Sequence, residues 1–110
     1  MTVEATPDQL QVSVETGTDE MVIHLAGELD PHTTPRLQLE IDRLTEAGAP
    51  AIILDLSRLG FVDSSGLRVL IRAHQDVTRD GGRFAVRNPS PTARRLLEIT
   101  GLTDLIESRE

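Results

Sequence analysis

Residues 51 to 71 read AIILDLSRLGFVDSSGLRVLI, and two periodicities meet within them. AIILDL (Ala51 to Leu56) is almost continuously apolar, as a central strand covered on at least one face requires. GLRVLIRAHQDVTRDGG then places Leu67, Leu70, Ile71, His74 and Val77 on a single helical face, and Gly81-Gly82 stop that helix. A strand that feeds a helix is half of a crossover unit, so its neighbours decide what sheet it belongs to.

Upstream, LQVSV (Leu10 to Val14) alternates apolar and polar with the period of a half-buried strand. A turn at Thr16-Gly17-Thr18-Asp19 leads into MVIHLAGELD, where Ile23, Leu25 and Leu29 share a face, so the two runs read as a hairpin. TTPRLQLEIDRLTEAG carries Leu37, Ile41 and Leu44 as one helical stripe. Thr33 or Thr34 suits its cap, Pro35 its first turn and Gly48 its end. Downstream, RFAV is a short strand and Asn88-Pro89-Ser90-Pro91 a turn into a third helix, with Ala93, Leu96, Leu97 and Thr100 inward. Leu102, Leu105 and Ile106 make a final turn or short strand. The order β-β-α-β-α-β-α predicts an α/β domain whose sheet is parallel at least in part. Residues 1–110 read as a single domain with its core at about 10–106. The loops Asp30 to Thr34 and Asp63 to Gly66 both follow strands and precede helices, so they gather on one edge of the sheet.

Bulk properties exclude several classes of function. The net charge is −7, with two aromatic residues, Phe61 and Phe84, and no cysteine. A phosphate backbone would find no basic footprint and bases no stacking platform, which argues against nucleic acid. Disulfides, thiolate metal sites and a cysteine nucleophile are ruled out, and a reducing compartment fits. The longest uninterrupted aliphatic run, Ala51 to Leu54, falls far short of the roughly 20 residues that span a bilayer. The start, MTVEATPDQL, is acidic and has no apolar signal region. A soluble, cytoplasmic, monomeric domain is expected.

The chemistry then centres on DSSG. Neither Ser64 nor Ser65 lies in a G-x-S-x-G elbow, and His24, His32 and His74 offer no base in register. The same histidines lack ligand spacing, so no metal is expected. Asp30 and Asp63 end strands on one edge, yet two carboxylates alone do not make a catalytic dyad. No glycine-rich phosphate loop occurs. Asp63 or Ser64 is a good helix N-cap. That leaves a second serine unexplained, and also Gly66, whose cost of about 1 kcal/mol in a helix suggests close approach by another chain. A helix N-terminus also attracts phosphate, which makes Ser64 a place where phosphorylation need not unfold the domain.

GELD, a helix, ILDLS, FVDSSGLRVLI, GGRFAV and the LLEITGL ending together resemble the bacterial anti-sigma factor antagonists, which are stand-alone STAS domains. The likeness runs from about residue 10 to 106. It implies a mixed β-sheet of roughly four to five strands packed against about three to four α-helices. It also implies no catalysis and no cofactor, any ATP being bound by a partner kinase. Members of the family bind an anti-sigma factor, commonly an ATP-dependent serine kinase, and thereby free a sigma factor. The kinase phosphorylates the first serine of DSSG, which maps onto Ser64, and a separate phosphoserine phosphatase restores binding. The partner contacts implied are Asp30, His32 and Thr33 from one loop, with Asp63, Ser64, Ser65, Gly66, Leu67 and Arg68 from the other. Many of the best-known members have Gly after the DSSGL leucine, whereas this chain has Arg68, able to select a different partner or to help hold a phosphate. A STAS scaffold without phosphorylation, in a stress-signalling or lipid-transport assembly, is the alternative, and the intact DSSG disfavours it.

Overall fold

In the computed structural model, which describes residues 9–107, the alternating run is strand β1, Leu10–Thr16. It pairs antiparallel with β2, Met21–Leu29, across a turn in which Gly17 N–H donates to Glu20 O at 3.0 Å. From β2 the chain runs through α1 (Thr34–Glu46) to β3 (Ala51–Val62), then through α2 (Ser64–Arg79) to β4 (Arg83–Arg87). Both later pairings are parallel and the strand order is β1-β2-β3-β4, so the sheet is mixed, as the crossovers predict. Helix α3, Pro91–Ile99, and a 3₁₀ turn, Thr103–Leu105, follow. The final residues do two things at once: after the turn, Ile106 forms a parallel bridge with Val86.

Two crossovers of the usual right hand that step the same way across a sheet leave their helices on one face. The core has that form. Ile23, Leu25, Ile52, Leu54, Leu56 and Val86 from the strands pack in one cluster with Leu37, Ile41, Leu70, Val77 and Leu97 from the helices. The alternate strand residues Val22, Ile53 and Ala85 form a separate small cluster on the other face. Two helical stripes differ from the periodic expectation. Ile71 is exposed and Ala73 takes its place inside α2, while Thr100 is the exposed C-cap of α3. A helical stripe that the sheet covers from one side only has room for a limited arc of positions, and both misplaced residues lie at its margins.

β3 outlasts the apolar run AIILDL by continuing through Ser57 to Val62. It does so by carrying extra residues. His24 pairs with Asp55 but Ala26 with Arg58, and Gly27 pairs with Leu59 but Glu28 with Phe61. At the first shift Asp55 Oδ1 accepts from the Ser57 N–H (2.9 Å) and hydroxyl (2.7 Å). Burial pushes the Asp55 carboxyl up, but the Ser57 bonds, Asn88 and His24 together hold it below its ordinary value. Opposite the second shift, Gly27 has φ +115, and a Cβ there would lie 2.2 Å from Gln9 O. The glycine of GELD is therefore a backbone requirement.

On the face away from the helices, Arg87 of β4 reaches Glu20, just before β2, at 3.0 Å, which carries the ion pair across the intervening β3. Arg87 Nε also donates to Glu107 at 2.6 Å, and Arg83 lies 3.5 Å from Glu107 and 3.6 Å from Glu20. These four charges lie on the same face of the sheet as Ile53, which is fully buried. The Arg87 bond holds the Glu107 carboxyl below its usual range despite burial, and Glu107 in turn raises Arg87.

Candidate functional site

The C-terminal ends of β2 and β3 lie side by side, Leu29 opposite Val62, and the two loops that leave them are tied together where Asp63 N–H donates to Leu29 O at 3.2 Å. The expected gathering of these loops is therefore present. In the first, Asp30 Oδ1 accepts from the N–H groups of His32 (2.9 Å) and Thr33 (3.0 Å). The Thr33 hydroxyl donates to Glu28 O at 2.9 Å and accepts from Asp30 N–H at 3.0 Å. Thr33 is only 4% exposed. It is the N-cap residue of α1, yet its side chain makes no cap bond, because its hydroxyl is engaged in the loop behind it. Beside the partner contact that the resemblance implies for it, Thr33 fixes this loop. His32 is left on the exposed tip.

In the second loop, Asp63 is the N-cap of α2 in an extended conformation. Its Oδ1 accepts from the N–H of Ser65 (2.9 Å) and of Gly66 (3.2 Å) and from the Ser65 hydroxyl (2.5 Å). The Ser65 hydroxyl, with the two amides, holds the carboxyl below its ordinary value, so it is ionised near neutral pH. This explains the second serine: Ser65 reinforces the cap. Ser64, one residue earlier, is exposed, and its hydroxyl has no partner among the described residues.

Gly66 also has an internal explanation. It is buried, and a Cβ there would lie 2.7 Å from Val62 Cγ2 and 2.9 Å from Leu29 Cδ2. The close approach inferred from this glycine is met by the chain's own strand ends, so Gly66 is at least a packing residue. Leu67 is half-buried against the core, and Arg68 is exposed one turn into the helix. Sequence reasoning passed over Phe61, which is 46% exposed two residues before Asp63. Its position against the DSSG loop was the available signal.

The other candidates stay apart. His24 Nε2 lies 2.9 Å from Glu15 and its Nδ1 3.8 Å from Asp55, on the opposite face of the sheet. His74 packs edge-on against Phe84, ring centroids 6.3 Å apart. Asp30 and Asp63 each serve their own turn. Among the described residues no cluster of histidine and carboxylate side chains is arranged to hold a metal, and no helix is long and apolar enough to cross a membrane. Two shallow surface grooves, of about 170 and 150 Å³, are lined by no residue of either loop.

A STAS domain family model matches residues 9–110. The anti-sigma F factor antagonist of Paenibacillus polymyxa is 34% identical over 94 residues, covering 84% of this chain and 80% of that protein. The solved structure of the anti-sigma factor antagonist SpoIIAA in its unphosphorylated form superposes with a TM-score of 0.78 at 31% identity, covering 91% of this chain and 89% of that one. The Bacillus cell fate determinant SpoIIAA in its phosphorylated form gives 0.73 at 31% identity, covering 91% and 92%. With an edge of paired loops and an exposed serine at a helix N-terminus, and with these relatives, the chain belongs to the STAS domain family, among the anti-sigma factor antagonists.

Proposed function

We propose that the protein binds an anti-sigma factor while Ser64 is unmodified, thereby freeing a sigma factor, and that phosphorylation of Ser64 ends the binding. One observation carries the choice of residue. Of two adjacent serines, Ser65 gives its hydroxyl to Asp63, while the Ser64 hydroxyl is exposed and uncommitted. An enzyme that transfers phosphate needs an accessible oxygen whose loss does not uncap a helix, and Ser64 meets that requirement. The kinase is the anti-sigma factor itself, which brings the ATP, and a phosphoserine phosphatase resets the switch. The domain performs no turnover of its own, needs no cofactor and works as a cytoplasmic monomer.

The phosphate acts by repulsion. It adds roughly −1.5 to −2 charges beside an ionised Asp63, on a chain already at −7. A partner packed on this edge would have to desolvate that charge or meet it with acidic groups. Like-charge contact across an interface costs several kcal/mol, and each 1.4 kcal/mol is about tenfold in affinity. Ser64→Ala is therefore expected to bind constitutively and to resist the kinase. Ser64→Glu is expected to lose at least about a hundredfold in affinity with its melting temperature unchanged. Incubation with the serine kinases of its own cell, phosphosite mapping and calorimetry against the anti-sigma factor test this. A phosphosite at Ser65, or equal affinity for both forms, would overturn it. A scaffold role without phosphorylation leaves the uncommitted Ser64 without a purpose.

A further inference from the structure

We propose that Arg68 holds the phosphate of phosphorylated Ser64 across one turn of α2, on the outer face of the helix. The inference rests on the reading that Ser64 is the modified residue, and it concerns what the phosphate touches once it is there.

A phosphate at a helix N-terminus ordinarily takes the first-turn amides. Here they already have acceptors. Asp63 Oδ1 takes the N–H of Ser65 and Gly66, Asp63 O takes that of Leu67, and the Asp63 N–H goes to Leu29 O. Between residues 63 and 67, Ser64 N–H alone has no acceptor among the described residues. The Asp63 carboxylate also repels a phosphate from that side, and Asp30 lies beyond the Leu29–Asp63 bond. The helix end thus gives the phosphate less than its dipole suggests.

One turn away the situation reverses. Ser64 is the first residue of α2, and Arg68 stands four residues on. Residues at that spacing are neighbours on a helix, about 6 Å apart at Cβ, and an anion placed N-terminal to its cation is the favourable order. Both side chains are exposed. Arg68 has no partner among the described residues, while Arg72, farther along the same helix, is already beside Asp76 at 3.8 Å. A guanidinium presents its N–H groups as a planar fork that matches two phosphate oxygens. His32, exposed on the neighbouring loop, is the competing donor.

The test builds phosphoserine into position 64 of the whole chain by genetic encoding, so that neither kinase nor partner is needed. Titration followed by ³¹P NMR then gives the second ionisation of the phosphate, ordinarily near pH 6. With Arg68 in place the midpoint is expected about half a unit lower than in Arg68→Ala, roughly a threefold change in proton affinity. Arg68→Lys should recover part of the shift, whereas Arg72→Ala and His32→Ala should leave it whole. Coincident midpoints for the parent and Arg68→Ala would overturn the proposal, as would a shift abolished by His32→Ala instead. Because the phosphoserine is installed directly, either failure leaves the assignment of Ser64 to stand or fall on phosphosite mapping.

Discussion

Two regions of this small sheet handle charge in opposite ways. On the face without helices, Glu20, Arg83, Arg87 and Glu107 are paired with one another and have little left to offer a visitor. At the edge where β2 and β3 end, most polar groups of each loop are satisfied locally, and the side chains of Ser64, His32 and Arg68 have no partner among the described residues. The first region uses its charges to hold the domain together. The second uses short-range bonds to keep two loops rigid so that a few side chains can face outward. Rigid loops with uncommitted tips are what a docking edge needs, since little ordering entropy is then lost on binding.

If this division holds, the largest stability effect should come from the paired face. Arg87→Ala removes the shorter of the arginine contacts to Glu20 and to Glu107, leaving both to Arg83, and is expected to cost about 2 kcal/mol, between the values for exposed and buried pairs, while binding to the anti-sigma factor is unchanged. The pH dependence sharpens the test. Glu107 is depressed by Arg87, so the stability from this pair is present above the ordinary carboxylate range, near pH 4.5, and is lost as pH falls through the folded value. Thermal melts of Glu107→Gln should therefore fall less steeply below about pH 4.5 than those of the parent, the remaining slope coming from Asp55 and Asp63. Parallel curves would show that these charges do not stabilise the fold.

Gly66→Ala probes the underside of the edge that carries the two loops. Alanine gains about 1 kcal/mol in helix propensity, but its Cβ meets Val62 and the buried Leu29, and overpacking of that kind costs roughly 1 to 3 kcal/mol. A net loss of about 1 kcal/mol is expected in chemical denaturation. A stabilised variant would show that the two side chains yield freely. Smallest of the three is Asp63→Asn, which keeps a capping oxygen and removes the charge. Stability should change by a few tenths of a kcal/mol, against about 1 for Asp63→Ala. A loss as large as that of the alanine variant would place the value of Asp63 in its charge rather than its cap.

Much of this was legible in the chain. The hairpin, the three helices and the meeting of the two loops follow from periodicity and capping residues, because each depends on neighbours a few positions apart. The length of β3 was not, since Ser57, Arg58 and Gly60 interrupt the apolar pattern, and only pairing with β2 shows that the strand absorbs them as extra residues. The internal packing of Gly66 was hidden for a related reason: the atoms that crowd it belong to Leu29 and Val62, and Leu29 lies far back in the chain. The paired charges of the helix-free face left no trace at all. Glu20 and Arg87 are 67 residues apart, and nothing but strand order makes them neighbours.

That separation has a consequence for how the molecule is made. Ribosomes deliver residues in order at roughly 5 to 20 per second. β1 and β2 can pair as soon as Leu29 has emerged, whereas Arg87 waits about twenty further residues for Glu107, whose N–H also bonds Val86 O at 2.7 Å. Until then two guanidinium groups, Arg83 and Arg87, share one carboxylate, Glu20. Ser64 and the cap of α2 are complete well before that moment, so the DSSG loop is formed on a chain whose far side is still open.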